Sequence, residues 1–131
     1  MSFELDLRHF QRKSNLRTAT VVRKIALDVL VRVVKRTPVD TGRARANWQT
    51  TVGQMADGEV NSTDPTGGES IGKGATEIES WDPSKAAVFL TNNVPYIGYL
   101  ESGSSQQAPA GMVAVTLSEY PGIVDKNVGA G

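Results

Sequence analysis

The chain contains no cysteine, a single histidine and few aromatic residues: three Phe, two Trp and three Tyr among 131 residues. Missing thiols exclude disulfides, thiolate metal sites and a cysteine nucleophile, and they fit a reducing cytoplasm. His9 has neither a cysteine nor a second histidine with which to complete a metal site. With Arg8 beside it and Arg12 nearby, it is expected on a solvated face. No apolar signal region opens the sequence and no apolar run is long enough to cross a bilayer, so no membrane contact is expected. Hydrophobic residues make up 39%, near the low end for a globular protein, which implies that part of the chain cannot pack into a core. The length suits one domain over residues 1–131.

Net charge is zero only in sum. Residues 1–45 hold eleven of the fourteen Lys and Arg and four of the fourteen Asp and Glu, a balance of +7; residues 46–131 carry −7. Opposite poles favour head-to-tail contact between copies. The same asymmetry is satisfied if the basic helix packs against the acidic half of its own chain.

What is present reads as α+β. Residues 1–14 suggest an arm or short helix anchored by Phe3, Leu5, Leu7 and Phe10. From about Asn15 to Arg36, Val22, Ile25, Ala26, Val29, Leu30, Val33 and Val34 recur at three and four, the spacing of a helix with one apolar face. Its many β-branched residues require packing to hold it. Ala44–Val52 reads as a strand with Trp48, Thr50 and Val52 on one face. A long insertion over 55–82 follows. It starts as an irregular loop to Thr66, and a short helix through Ile71, Ala75 and Ile78 is weakened by Gly72 and Gly74. Ala86–Thr91 predicts a strand antiparallel to 44–52. Tyr96–Leu100 suggests one helical turn ended by Gly103, and Met112, Val113, Leu117 and Tyr120 a final helix packed on the sheet. Pro121-Gly122 should kink or end that helix, and the tail from 127 or 128 to 131 should fray. The expected core comprises Val22, Ile25, Val29, Val33, Trp48, Val52, Val88, Leu90, Val113 and Leu117.

The most informative stretch runs from Thr37 to Trp48, Thr-Pro-Val-Asp-Thr-Gly-Arg-Ala-Arg-Ala-Asn-Trp. Pro38 lacks an N–H and clashes with the preceding turn, so the helix must stop; it also moves Thr37 out of the α region. Asp40 can accept backbone bonds two residues on, and Gly42 tolerates a positive φ. Arg43 and Arg45, alternating with Ala44 and Ala46, are expected on one side of an extended segment.

A helix followed by Pro-Val-Asp-Thr-Gly-Arg and a short Asn-Trp strand resembles the tail-completion and neck, or head–tail joining, proteins of long-tailed bacteriophages, including the minor tail protein of the lambda Z type. Tyr-Leu-Glu-Ser-Gly at 99–103 is similar to the family's Tyr/Leu-Glu-x-Gly element, and Gln-Ala-Pro-Ala-Gly-Met-Val at 107–113 to the segment that opens its last helix. The resemblance covers most of residues 1–126; the polar stretch near 55–70 matches nothing specific. It implies a virion structural protein without catalysis or cofactor, made in the host cytoplasm. Copies would form a ring, sixfold by tail symmetry, stacked on tail-terminator, tail-tube or head-completion proteins, with nonspecific contact to DNA in the channel. Its structural positions would be Pro38, Asp40, Thr41, Gly42, Arg43, Arg45, Trp48, Tyr99, Glu101, Gly103 and Pro109. The insertion would reach a neighbouring subunit, and Glu101 would pair with Arg43 or Arg45.

Other patterns carry less. Asp40-Thr41-Gly42 spells the triplet of dimeric aspartic proteases, in which two carboxylates share a proton. Here a basic helix and Pro38 precede it and Arg43 follows, which would keep Asp40 ionised. Gly67–Lys73 nearly satisfies the phosphate loop, but Gly74 replaces its hydroxyl residue and no apolar strand precedes it. Arg8, Arg12, Lys13, Arg17, Arg23 and Lys24 form a candidate phosphate-contacting face. A small nucleic-acid-binding module is therefore the main alternative function, although no recognition pattern accompanies the charge.

Overall fold

The computed structural model describes residues 1–5, 16–85 and 87–130. Among the described residues, six helices pack on a small three-stranded antiparallel sheet. The elements run β1 (Ser2–Leu5), α1 (Leu16–Arg36), α2 (Arg43–Ala46), β2 (Gln49–Val52), α3 (Gly68–Glu79), β3 (Val88–Thr91), α4 (Ile97–Glu101), α5 (Val113–Ser118) and α6 (Tyr120–Ala130).

The apolar stripe of α1 is the centre of the core: Val22, Ile25, Ala26, Val29, Leu30, Val33 and Val34 are all fully buried. Spacing of three and four places them on one face, and burial of that face holds a helix that propensity alone would leave weak. Trp81, Met112 and Ile123 fill the same cluster.

The sheet has the order β1-β3-β2. Leu5 pairs with Val88 and Ser2 with Thr91; Val52 pairs with Val88 and Gln49 with Thr91. The strand expected at 86–91 forms over Val88–Thr91, antiparallel to its partner as the sequence suggests, while Ala86 lies outside the described residues. The partner is shorter than Ala44–Val52, because Arg43–Ala46 is a helical turn and only Gln49–Val52 is extended. Alternation of Arg and Ala mimics a strand, yet both are good helix formers. Part of the expected arm is also a strand: Ser2–Leu5 joins β3, with the Met1 ammonium donating to the Asn92 carbonyl at 2.8 Å and Phe3 meeting Trp48 edge-to-face at 6.2 Å. Residues 6–15, with Arg8, His9, Arg12 and Lys13, lie outside the described residues, as does the Arg17 side chain.

The insertion is more regular than its composition implies. After an irregular 55–67, α3 runs for twelve residues and buries Ser70, Gly74 and Ile78, one turn apart, against α1 and β2. A Cβ on Gly74 would run into Leu30 and stand 2.7 Å from the Thr50 hydroxyl. The glycine that weakens the helix signal is what lets helix and strand approach. In this chain the segment packs on its own domain.

At the C-terminal end the single expected helix is two. α5 ends at Ser118 and α6 starts at Tyr120, with Pro121 in its first turn where a missing N–H is harmless. Both lie chiefly against α1 rather than on the sheet. Leu117 is therefore 44% exposed, not core, while Thr116 faces inward, fully buried. Val52 and Val113 are only partly buried; the other expected core residues are buried. α6 extends through Val128 and Gly129 to Ala130.

Candidate functional site

The turn that stops α1 is built by its own residues. Thr37, fully buried, donates its hydroxyl to the Val33 carbonyl at 2.7 Å and accepts the indole N–H of Trp48 at 2.7 Å. Pro38 follows, and Gly42 adopts φ 93°. A side chain at Gly42 would be strained by that angle and would meet the backbone of Pro65, whose nitrogen lies 2.6 Å from an ideal Cβ. The hydroxyl of Thr41, not the carboxylate of Asp40, accepts the bond two residues on, from the Arg43 N–H at 3.2 Å. Among the described residues no hydrogen bond reaches the Asp40 carboxylate, which is exposed.

Arg43 and Arg45 have different partners. Arg43 reaches Glu59 at 2.7 Å. Arg45 donates Nε to the Thr37 carbonyl at 2.8 Å, Nη2 to Lys35 at 2.9 Å and Nη1 to Pro65 at 2.7 Å. A cation is thus seated on the terminal carbonyls of α1, where the helix has unpaired acceptors and the negative end of its dipole.

Glu101 pairs with neither arginine. Its carboxylate accepts the backbone N–H groups of Met112, Val113 and Ala114, each at 2.9 Å. It closes the N-terminus of α5 from a distance, a role that needs Gly111 opposite, since a Cβ there would collide with Glu101. Gly103, at φ 92°, packs on the Pro109 carbonyl, so no side chain fits there either. Pro109 is exposed, and Tyr99 projects from α4 with 72% of its surface exposed.

The two motif segments, some sixty residues apart, meet at one corner. Gln107 accepts the Val39 N–H at 2.9 Å and donates to the Val39 carbonyl at 3.0 Å. Pro38–Ala44 and Tyr96, Leu100, Ser105 and Gln107 line a shallow cleft of about 190 Å³ between them. Three further residues organise the corner; from sequence Asn47 stands out only as part of the Asn-Trp motif, and none of the three is assigned a contact. Asn47 brackets Val60, donating to its carbonyl at 3.0 Å and accepting its N–H at 2.7 Å. Asn92 donates to the Ala44 carbonyl at 2.8 Å. Asp64 accepts the Ser70 N–H at 2.8 Å in the first turn of α3. Burial raises the Asp64 carboxyl, but the Ser70, Glu69 and Gly67 donors outweigh it and hold the group below the usual carboxylate range. That carboxylate sits at the helix end where the near-phosphate loop would need its anion. Lys73 lies on α3 and pairs with Glu69 at 3.0 Å.

The charged poles meet partly within the chain. Glu119 receives Arg36 through Nη1 at 2.5 Å and Nη2 at 2.8 Å, and Arg32 at 3.0 Å. Hydrogen bonds from Arg36, then Arg32, lower its carboxyl to about 2. Asp28 is raised by burial, yet Arg32 and Lys126 bring it below its ordinary value. Arg23 donates to the Trp81 carbonyl at 3.0 Å. Among the described residues no cluster of three or more His, Cys, Asp or Glu could hold a metal ion, and no helix is long and apolar enough to cross a membrane. No family model, curated protein or solved structure matches this chain.

Proposed function

We propose that the protein is a structural component of a phage virion, completing the head-proximal end of the tail or joining tail to head as a ring of identical copies. The observation that carries this reading is the convergence of the two motif segments on one corner. There the residues behind the resemblance are used for architecture: Arg45 on helix-terminal carbonyls, Glu101 on three backbone N–H groups, Gln107 on both polar groups of Val39. Tyr96 and Tyr99 lie exposed beside the corner, the amphipathic side chains that interfaces favour. Ring contacts between identical copies are heterologous, which a chain with unlike ends can supply.

The nucleic-acid alternative draws less support. Of the basic residues described on α1, Arg23, Arg32 and Arg36 are hydrogen-bonded within the chain, leaving Lys24 and Lys35 exposed.

Complementation tests the proposal. Extract from cells infected with a virus lacking this gene should yield infectious particles when the purified protein is added, and Tyr99→Ser should reduce the yield without lowering the thermal midpoint. Particles that form equally well without the protein would refute the assignment.

A further inference from the structure

Among the described residues no strand pairs with the outer edge of β2, and that edge borders a cleft of about 440 Å³. The ladder phase follows from one bond: the Gly53 N–H donates to the Ala87 carbonyl at 2.8 Å. Because hydrogen-bonded and non-hydrogen-bonded pairs alternate, Thr51 and Gln49 also face β3, and Thr50 and Val52 turn their N–H and C=O groups outward. Among the described residues, no hydrogen bond reaches those four groups. Thr50, 9% exposed, lines the cleft, and its hydroxyl has no partner among the described residues. Lys73 and Glu77 of α3 form one wall, Val60 and Ser62 another. Lys73 is paired with Glu69, whereas Glu77 is exposed and has no ion pair among the described residues.

We propose that this cleft binds an extended segment of another protein carrying Lys or Arg, which adds to β2 as a fourth strand. An edge strand beside a helix offers a peptide the repeat of donors and acceptors that its backbone needs, while side-chain specificity comes from the walls. Here the unpaired wall charge is negative, which selects a basic side chain next to Glu77. The inference holds or fails independently of any role in a tail.

The test is a titration of the ¹⁵N-labelled full chain with the capped hexapeptide Thr-Lys-Val-Lys-Val-Thr and its counterpart Thr-Glu-Val-Glu-Val-Thr. The lysine peptide should shift the amides of Thr50–Val52 and of Lys73–Glu77 saturably. The glutamate peptide should bind about fivefold more weakly or worse. Glu77→Lys, a change at an exposed position whose unaltered thermal midpoint is the control, should reverse that order, and N-methylation of alternate peptide amides should abolish binding. No saturable shift, shifts elsewhere, or equal binding of both peptides would overturn the proposal. So would the same shifts on concentrating the protein alone, because a second copy would then fill the edge.

Discussion

Glu101 concentrates several contacts in one side chain. Its two oxygens satisfy three N–H groups that the first turn of α5 would otherwise leave open. Replacing a capping residue typically costs about 1 kcal/mol. Glu101→Ala should therefore lower the unfolding free energy by about 1–2 kcal/mol in urea titration, and Glu101→Gln by less, since one acceptor remains. Gly42→Ala should be worse despite its small size, because the new methyl meets Pro65 in a conformation of positive φ. A loss of about 1–3 kcal/mol is expected, read from the same titrations. The sequence announces that something special happens at Asp40-Thr41-Gly42 and at Glu101, since those residue types favour turns and charge. It does not announce the partners. The resemblance implies an ion pair between Glu101 and Arg43 or Arg45; the turn through Gly111 instead delivers three N–H groups to it, and a shape made by residues 103–111 leaves no mark in pairwise spacing.

Elements differ in how much they owe to their own sequence. The 21 residues of α1 carry a full periodic stripe, and the stripe is the buried face. Strand β1 has only Ser-Phe-Glu-Leu, too short a pattern to separate from an arm; pairing with β3 makes it a strand. α2 reads as period two yet folds as a turn of helix beneath the end of α1. α3 illustrates both behaviours through two glycines. Gly72 faces open space, so Gly72→Ala should add about 0.5–1 kcal/mol through helix propensity. Gly74 lies against Leu30 and Thr50, so Gly74→Ala should lose about 1–3 kcal/mol by overpacking, more than the propensity gain returns. Opposite shifts in thermal midpoint are the check. α5 and α6 are fastened to α1 by Glu119, about a third exposed. Its carboxyl is depressed to about 2 in the folded state, against about 4.3 when unfolded. The stabilisation is present above the unfolded value and is lost as pH falls through the folded one. Thermal midpoints measured between pH 5 and pH 2 should fall less steeply in Glu119→Gln than in the wild type.

For the whole molecule, the unlike halves of the chain are partly reconciled internally. Arg32 and Arg36 meet Glu119, Lys126 meets Asp28, and Arg43 meets Glu59. The described part of the basic pole is thus partly neutralised, and the contacts between copies proposed above would need surfaces beyond charge. Exposed Tyr96 and Tyr99 beside the corner, and Leu117 and Val128 on the C-terminal helices, are available for them. Composition implied a chain that packs incompletely. The structure accommodates that by tying an irregular 55–67 down with side-chain amides, as when Asn47, Gln49 and Asn93 bond the carbonyls of Ala56, Gly58 and Val60. Such long-range polar ties depend on tertiary proximity, which is why the loop was legible as a loop but not as an ordered one. We propose that these surfaces assemble into the virion. The most direct measurement is negative-stain imaging of the purified protein mixed with tails from a virus that lacks it. The proposal expects ring-shaped density restored at the head-proximal end of those tails. A monomer that never joins a tail, with tail ends unchanged, would contradict it.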